Sequence, residues 1–358
     1  MGNGLKTFLE RKGKRLAIAG ALEVAALLSR AGLGSGARGR GAIFTLHHVR
    51  PAADAGFAAN RHLEITPDFL EKAILRLRSE GYEFISLGEI PARLRMPGGR
   101  PFAVFTLDDG YRNNAEHALP VFERHGVPFT IFVTRGFAER THSPWWETIG
   151  RLLASLPAIR FDFGNGVETL DLSTEVLKLR AFKRFARVVQ EQDEEPAVER
   201  IDTLAHEHGV DPLQLTADLT MDAGELRRIA AHPLASLGAH TLSHRAVARL
   251  GPEEARREMQ QSADWIEALT AERPLSLAYP YGFPTAVSAR DMDIARDAGF
   301  SLAVTTQPGT IDETWLERLT GLPRISLNGY FQKPRYVSAL ASGIPFSLSR
   351  RKAVRGTS

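Results

Sequence analysis

The stretch FTLDDGY, Phe105–Tyr111, decides how the rest of the chain is read. With Phe102-Ala103-Val104 ahead of it, it forms an apolar run that ends in two adjacent carboxylates, Asp108 and Asp109, and a glycine. A run of this kind, without polar alternation, fits a strand buried on both faces of a parallel sheet. The C-terminal edge of such strands is where ligands bind in α/β folds. Neighbouring carboxylates repel one another, so they sit best beside a cation. The plainer alternative is an Asp-Asp-Gly turn that only caps the next helix.

Sequence of the same style lies on both sides. Ala42–Val49 (AIFTLHHV) reads as an apolar strand, and a helix follows from about Thr66 to Glu80. Thr66 caps that helix, Pro67 takes its first position and Gly81 ends it. Tyr82–Ser86, His125–Thr134, Leu234–Ala239, Leu275–Ala278, Ser301–Thr306 and Leu322–Gly329 read as further strands, with helices at Pro252–Ala271 and Ala289–Ala298. The alternation predicts an α/β protein with parallel strands. Between about Arg140 and Asp222 the rhythm breaks into a segment with Trp145, Trp146 and charged helices around Asp193, Glu194 and Glu195. Because similar strands flank it, this segment reads as an insertion within one domain.

HTLSH, His240–His244, follows directly on the apolar ASLGA strand, which sets the two histidines on the same edge as the acidic turn. On a helical turn, a spacing of four brings both imidazoles to one face, as two ligands of one metal require. The chain has no cysteine, so any metal is held by His, Asp, Glu or water. A His-His-carboxylate set leaves positions open for water and substrate, and suits zinc, iron, manganese or cobalt. One aspartate suffices as ligand, which frees the other to act as a base.

Charge is unevenly distributed. The net charge is +3, yet the first forty residues carry +6 and the stretch from Phe331 another +6, leaving −9 on the body between. Basic ends of this kind either solubilise or touch an anionic membrane surface. They lack the interleaved aromatics of a nucleic-acid module, so nucleic acid is not expected as a partner. Leu16–Leu28 superficially resembles a signal peptide, but Glu23 interrupts it and no small-x-small site follows. It reads as a short amphipathic helix, and the expectation is a cytoplasmic protein with peripheral membrane contact. No apolar run is long enough to span a bilayer. The sequence leaves the oligomeric state open.

FTLDDGY, HTLSH and YPYG (Tyr279–Gly282), in that order, resemble the motifs of the polysaccharide deacetylase family, also called the NodB-homology or carbohydrate esterase 4 family. The resemblance runs from about Ala42 to Asn328 and includes Ala295–Thr306 (ARDAGFSLAVTT) and Pro323–Gly329 (PRISLNG). It implies a distorted (β/α) barrel with a helical insertion at 140–222, a deacetylase domain over 42–330, a basic helical segment and linker over 1–41, and a basic tail over 331–358. It also implies roles. Asp108 is the general base, Asp109, His240 and His244 hold a divalent metal, and the Tyr281 amide contributes to the oxyanion hole. Zinc is the first expectation for the metal, with cobalt, manganese, nickel and iron as alternatives.

Two positions depart from the family pattern. Many members carry an arginine two residues before the proline of YPYG, paired with the base; here that residue is Ala278, and Arg324 is the candidate replacement. Many also place a general-acid histidine near the C-terminus, but no histidine follows His244. FTLHHV is similar to a YHxV segment of circularly permuted branches that act on poly-N-acetylglucosamine. That similarity points to His47 as the acid, with His48 second. The expected reaction is hydrolytic removal of an N-acetyl group from an N-acetylhexosamine glycan, such as a chitooligosaccharide or envelope glycan. The alternatives are a carbohydrate-binding protein that has lost catalysis and an O-acetyl esterase. Trp145 and Trp146 read as anchors of the insertion before stacking platforms, and His206 and His208 as solvated.

Overall fold

The computed structural model describes residues 2–52 and 57–347. Its strands are β1 (Gly41–Leu46), β2 (His48–Val49), β3 (Glu64–Ile65), β4 (Glu83–Phe84), β5 (Phe102–Leu107) and β6 (Phe129–Val133). They continue with β7 (Ala158–Asp162), β8 (Val167–Asp171), β9 (Ala235–Ala239), β10 (Ser276–Ala278), β11 (Leu302–Val304) and β12 (Ile325–Ser326). The helices are α1 (Gly2–Arg30), α2 (Pro67–Ser79), α3 (Ile90–Arg95), α4 (Leu119–His125), α5 (Arg135–Ala138) and α6 (Trp145–Ser155). After these come α7 (Glu175–Glu191), α8 (Glu194–Glu207), α9 (Pro212–Leu219), α10 (Ala223–Ala230), α11 (Pro252–Thr270), α12 (Ala289–Asp297) and α13 (Pro334–Ala341).

Eight strands form one sheet in the order β11-β10-β9-β6-β5-β1-β12, with β4 joined to the start of β5. Every pairing in it is parallel. The sheet curls until its outer strands meet: Leu322, just ahead of β12, bridges Val304 of β11. This is the distorted (β/α) barrel expected from the sequence. Strands β1, β5 and β6 are buried along their whole length, which is why they read as continuous apolar runs. Alternation then sorts their side chains. Phe44, Phe105 and Phe129 pack outward under α2 and α4, while Ile43, Val104 and Phe132 belong to the core inside the curl.

Thr66 caps α2 as expected, its hydroxyl accepting from the Phe69 amide, and Gly81 follows with φ 81°. The strand expected over Tyr82–Ser86 shortens to β4. The insertion folds as α6, the antiparallel β7–β8 hairpin and α7 to α9 around its own apolar cluster. Trp145 and Trp146 are buried in that cluster, in keeping with their reading as anchors, and His206 and His208 are exposed.

The ends of the chain differ from their sequence reading. The short N-terminal helix expected at 16–28 is part of the longer α1. Within the stretch read as a basic tail, Pro334–Ala341 is α13, because Tyr336, Val337, Ala339 and Ala341 fall on a helical face that buries against α1 and α2. Residues 348–358 lie outside the described residues.

The outer core is tightest where the Phe122 ring stacks on Phe129 at 4.6 Å and meets Phe105 at 5.5 Å. Truncating Phe122 to alanine is expected to cost about 3–5 kcal/mol in urea unfolding. A loss below about 1 kcal/mol would show that this face of the sheet is not the stabilising core.

Candidate active site

The ends of β1, β5 and β9, with the loop after β10, converge on one cleft of about 330 Å³. His47, Asp108, Asp109, His240, His244 and Tyr281 all line it, so the structure brings together the expected base, metal ligands, oxyanion-loop residue and first acid candidate. His62, Phe182 and Phe283 line it as well.

Asp108 continues the inward parity of Val104 and Thr106. Its carboxylate receives a two-pronged pair of hydrogen bonds from Arg324, Nη1 to Oδ1 at 2.7 Å and Nη2 to Oδ2 at 2.6 Å. Arg324 is itself fully buried and also donates to the Thr305 carbonyl (2.9 Å) and the Thr106 hydroxyl (3.1 Å). Burial pushes the Asp108 carboxyl up, but the Arg324 guanidinium outweighs it and holds the group below the usual carboxylate range. The pairing that Ala278 cannot make is therefore made by an arginine at the edge of β12, on the far side of the sheet from β10. Nε2 of His47 stands 3.9 Å from the same carboxylate.

Asp109 turns the other way. Its backbone takes φ 70°, a left-handed conformation that is costly for a residue other than glycine. In this conformation Oδ1 lies 3.4 Å from Nε2 of His240 and 3.4 Å from Nε2 of His244. Oδ1 is buried yet makes no hydrogen bond. The Nδ1 atom of His240 lies 2.7 Å from the Ala278 carbonyl. A carbonyl can only accept, so Nδ1 carries the proton and Nε2 offers its lone pair to the centre of the group. One atom from each of the three residues lies within 4.8 Å of the others. Three converging donor atoms, one of them a buried carboxylate oxygen left unsatisfied, form a set that a divalent cation fits. Burial pushes the Asp109 carboxyl up, but His240 and His244, when protonated, outweigh it and hold it well below its usual range.

The spacing of His240 and His244 works differently from the expected helical turn. Thr241 and His244 have φ of 62° and 64°, and the segment is a loop. The Leu242 and Ser243 amides donate to the buried Glu258 carboxylate of α11, each at 2.9 Å, rather than to carbonyls of a helix. The Thr241 hydroxyl accepts from the His244 amide. Ring contacts with Trp146 at 4.7 Å and Tyr281 at 5.0 Å fix the His244 imidazole.

Tyr281 also has a left-handed backbone, with φ 60°. Its carbonyl accepts from the Thr306 hydroxyl, its own hydroxyl donates to Glu194 of α8 at 2.5 Å, and the Trp145 indole donates to that hydroxyl. Glu194 and Glu258, which carry no motif, thus hold the two loops that shape the cleft. Sequence reasoning missed both, along with His62, whose imidazole burial pushes down to about 4. The one available signal was an acid within an otherwise apolar helix face. His48 stays out of the cleft: it is buried against the Tyr111 ring, with Nδ1 2.8 Å from the Asn113 side chain and Nε2 3.4 Å from Glu147.

A family model described as polysaccharide deacetylase matches residues 95–303. No curated protein matches the chain. In three dimensions the chain is similar to the Streptococcus pyogenes deacetylase PplD, solved with acetate, with a TM-score of 0.51, 16% identity, and coverage of 80% of this chain and 92% of that one. It is similar to IcaB from Ammonifex degensii, with a TM-score of 0.52, 16% identity, and coverage of 85% and 97%. A polysaccharide deacetylase from Bacillus cereus, BC0361, gives a TM-score of 0.52 and 14% identity over 84% of this chain and 68% of that one. At these identities the likeness is one of fold.

Removing Arg324 tests its pairing with Asp108. Because the folded-state pKa of Asp108 is lowered, the pair stabilises the protein above the unfolded carboxyl value and loses that contribution as pH falls through the folded one. Arg324→Met is expected to cost about 3–5 kcal/mol at neutral pH, by leaving a buried carboxylate unpaired. The deficit should shrink toward about pH 5, because the unpaired carboxyl then takes up a proton. Urea titrations at both pH values measure this, and a deficit independent of pH would contradict it.

Proposed function

The chain belongs to the polysaccharide deacetylase family, and on that premise we propose that it is a divalent-metal-dependent hydrolase removing N-acetyl groups from an N-acetylhexosamine glycan. The observation that carries this reading is the division of labour between Asp108 and Asp109. One carboxylate is saturated by an arginine, and the other faces two imidazoles with an unsatisfied oxygen.

Asp109, His240 and His244 would hold the metal, and their nitrogen and oxygen donors suit zinc first. When bound, such an ion supplies Lewis-acid polarisation of the acetyl carbonyl and makes water easier to deprotonate. Asp108 accepts the proton of the attacking water, kept ionised and aimed by Arg324. The Tyr281 amide, in its braced left-handed loop, donates to the oxygen on which negative charge develops. His47, with Nε2 3.9 Å from the Asp108 carboxylate, delivers a proton to the departing nitrogen. The products are the free amine and acetate. The case for a binding protein without catalysis rested on Ala278 and on the absence of a histidine after His244; the Arg324 pair weighs against the first, and His47 beside Asp108 weighs against the second.

Acetate release from a panel of N-acetylated and O-acetylated oligosaccharides tests the reading. Asp108→Asn should lower turnover on the order of 10²–10⁴-fold. Equal activity in both proteins sinks the mechanism, and turnover confined to O-acetyl esters sinks the N-deacetylase assignment. Separately, His240→Ala should abolish stoichiometric metal in the purified protein, measured by plasma mass spectrometry. Retention of a full equivalent would remove His240 from the ligand set.

A further inference from the structure

Helix α1 buries one face and leaves the other bare. Leu22, Ala25 and Ala26 pack against Tyr336 and Ala339 of α13. The opposite face is also apolar and is open to solvent: Leu16 is 72% exposed, Val24 57% and Leu27 66%, with Ala17, Ala21 and Leu28 exposed beside them. At about 100° per residue these six positions form one continuous stripe without a charge. A helix that is apolar on both faces is ordinarily buried on both, and an exposed apolar stripe of this kind marks an interaction surface.

Charge identifies the occupant. By the same helical geometry Lys14 and Arg30, both exposed, border the stripe on opposite sides. The only acid of α1 from Gly13 onward, Glu23, is already neutralised. It takes two hydrogen bonds of 2.7 Å from Arg335, one from the Tyr336 hydroxyl, and lies 3.7 Å from Lys333. Helix α1 also touches α7, which carries five basic residues against two acidic ones. A second copy of the chain would set these basic surfaces against themselves, which like-charge repulsion opposes. We propose that α1 docks on an anionic phospholipid surface, with Leu16, Val24 and Leu27 entering the acyl boundary and Lys14 and Arg30 at the headgroups. No helix among the described residues is long and apolar enough to cross a membrane, so the contact is peripheral.

The position of the helix gives the docking a purpose. Phe182, Ala186 and Gln190 of α7 wall the catalytic cleft. An apolar cavity of about 350 Å³ beneath α1, lined by Ile18, Ala21 and Phe331, shares Ser326 with that cleft. Docking through α1 therefore holds the cleft beside the lipid surface.

Flotation of the full chain with phosphatidylglycerol-containing vesicles, against pure phosphatidylcholine vesicles, tests the proposal and does not depend on the deacetylase reading. Wild type should float with the anionic vesicles only, and less so as salt is raised. The combined variant Leu16→Ser, Val24→Ser and Leu27→Ser should bind at least about tenfold more weakly with an unchanged melting temperature. Lys14→Glu with Arg30→Glu should also weaken binding. The proposal is overturned if wild type stays unbound, if the triple variant floats like wild type, or if light scattering shows that the triple variant converts a dimer to a monomer while vesicle binding persists.

Discussion

Two carboxylates on consecutive residues, both buried at the end of one strand, cannot remain ionised unless each finds its own counter-charge. Much of the site follows from meeting that demand twice within a few ångströms. Strand parity turns Asp108 inward, where Arg324 grips both oxygens. A left-handed kink turns Asp109 away, toward the two imidazoles. The result is one carboxylate that is electrically complete and one that calls for a cation. The base and ligand roles proposed for the two residues need that asymmetry, and it is created by geometry alone from two identical side chains.

The strain this requires is concentrated. Asp109, Thr241, His244 and Tyr281 all have left-handed backbones and all belong to the cleft or to the loop that shapes it. Such conformations persist only where surrounding contacts over-determine them. Here those contacts come from outside the motifs: Glu258 on α11 for the histidine loop, and Glu194 on α8 with Thr306 for the tyrosine loop. The insertion is thereby part of the site's construction, since α8 reaches into the YPYG loop, and α6 supplies Trp145 to that loop and Trp146 to the His244 ring.

The barrel was legible because strands β1, β5 and β6 are buried on both faces and leave uninterrupted apolar runs. The site edge was legible because ligand-type residues end those runs. Parity also separates His47 from His48: Thr45 pairs with Thr106 in register, so His47 follows the inward side and His48 the other. The grouping of His240 with His244 was anticipated, but the helical route was not taken, because hydrogen bonds from the Leu242 and Ser243 amides to a glutamate 16 and 15 residues away replace the helical ladder. Long-range partners of this kind leave no local pattern. Arg324 is the partial exception, since a cation inside the apolar strand PRISL implies a buried acid without saying which. The bare face of α1 was hidden for a related reason. Composition reports that the helix is apolar, but only packing tells which of its sides is covered.

The Arg324–Asp108 pair joins positions 216 residues apart in the chain. During synthesis from the N-terminus, β5 and the acidic turn are made long before the strand that carries the counter-charge. Until β12 lies beside β1 and the curled sheet meets itself, Asp108 has no cation to be buried with and is best left facing water. The last strand therefore acts as a keystone: it completes the wall and brings the counter-charge of the buried carboxylate on the same segment. Closing the barrel and drying its acidic turn thus depend on one and the same piece of chain.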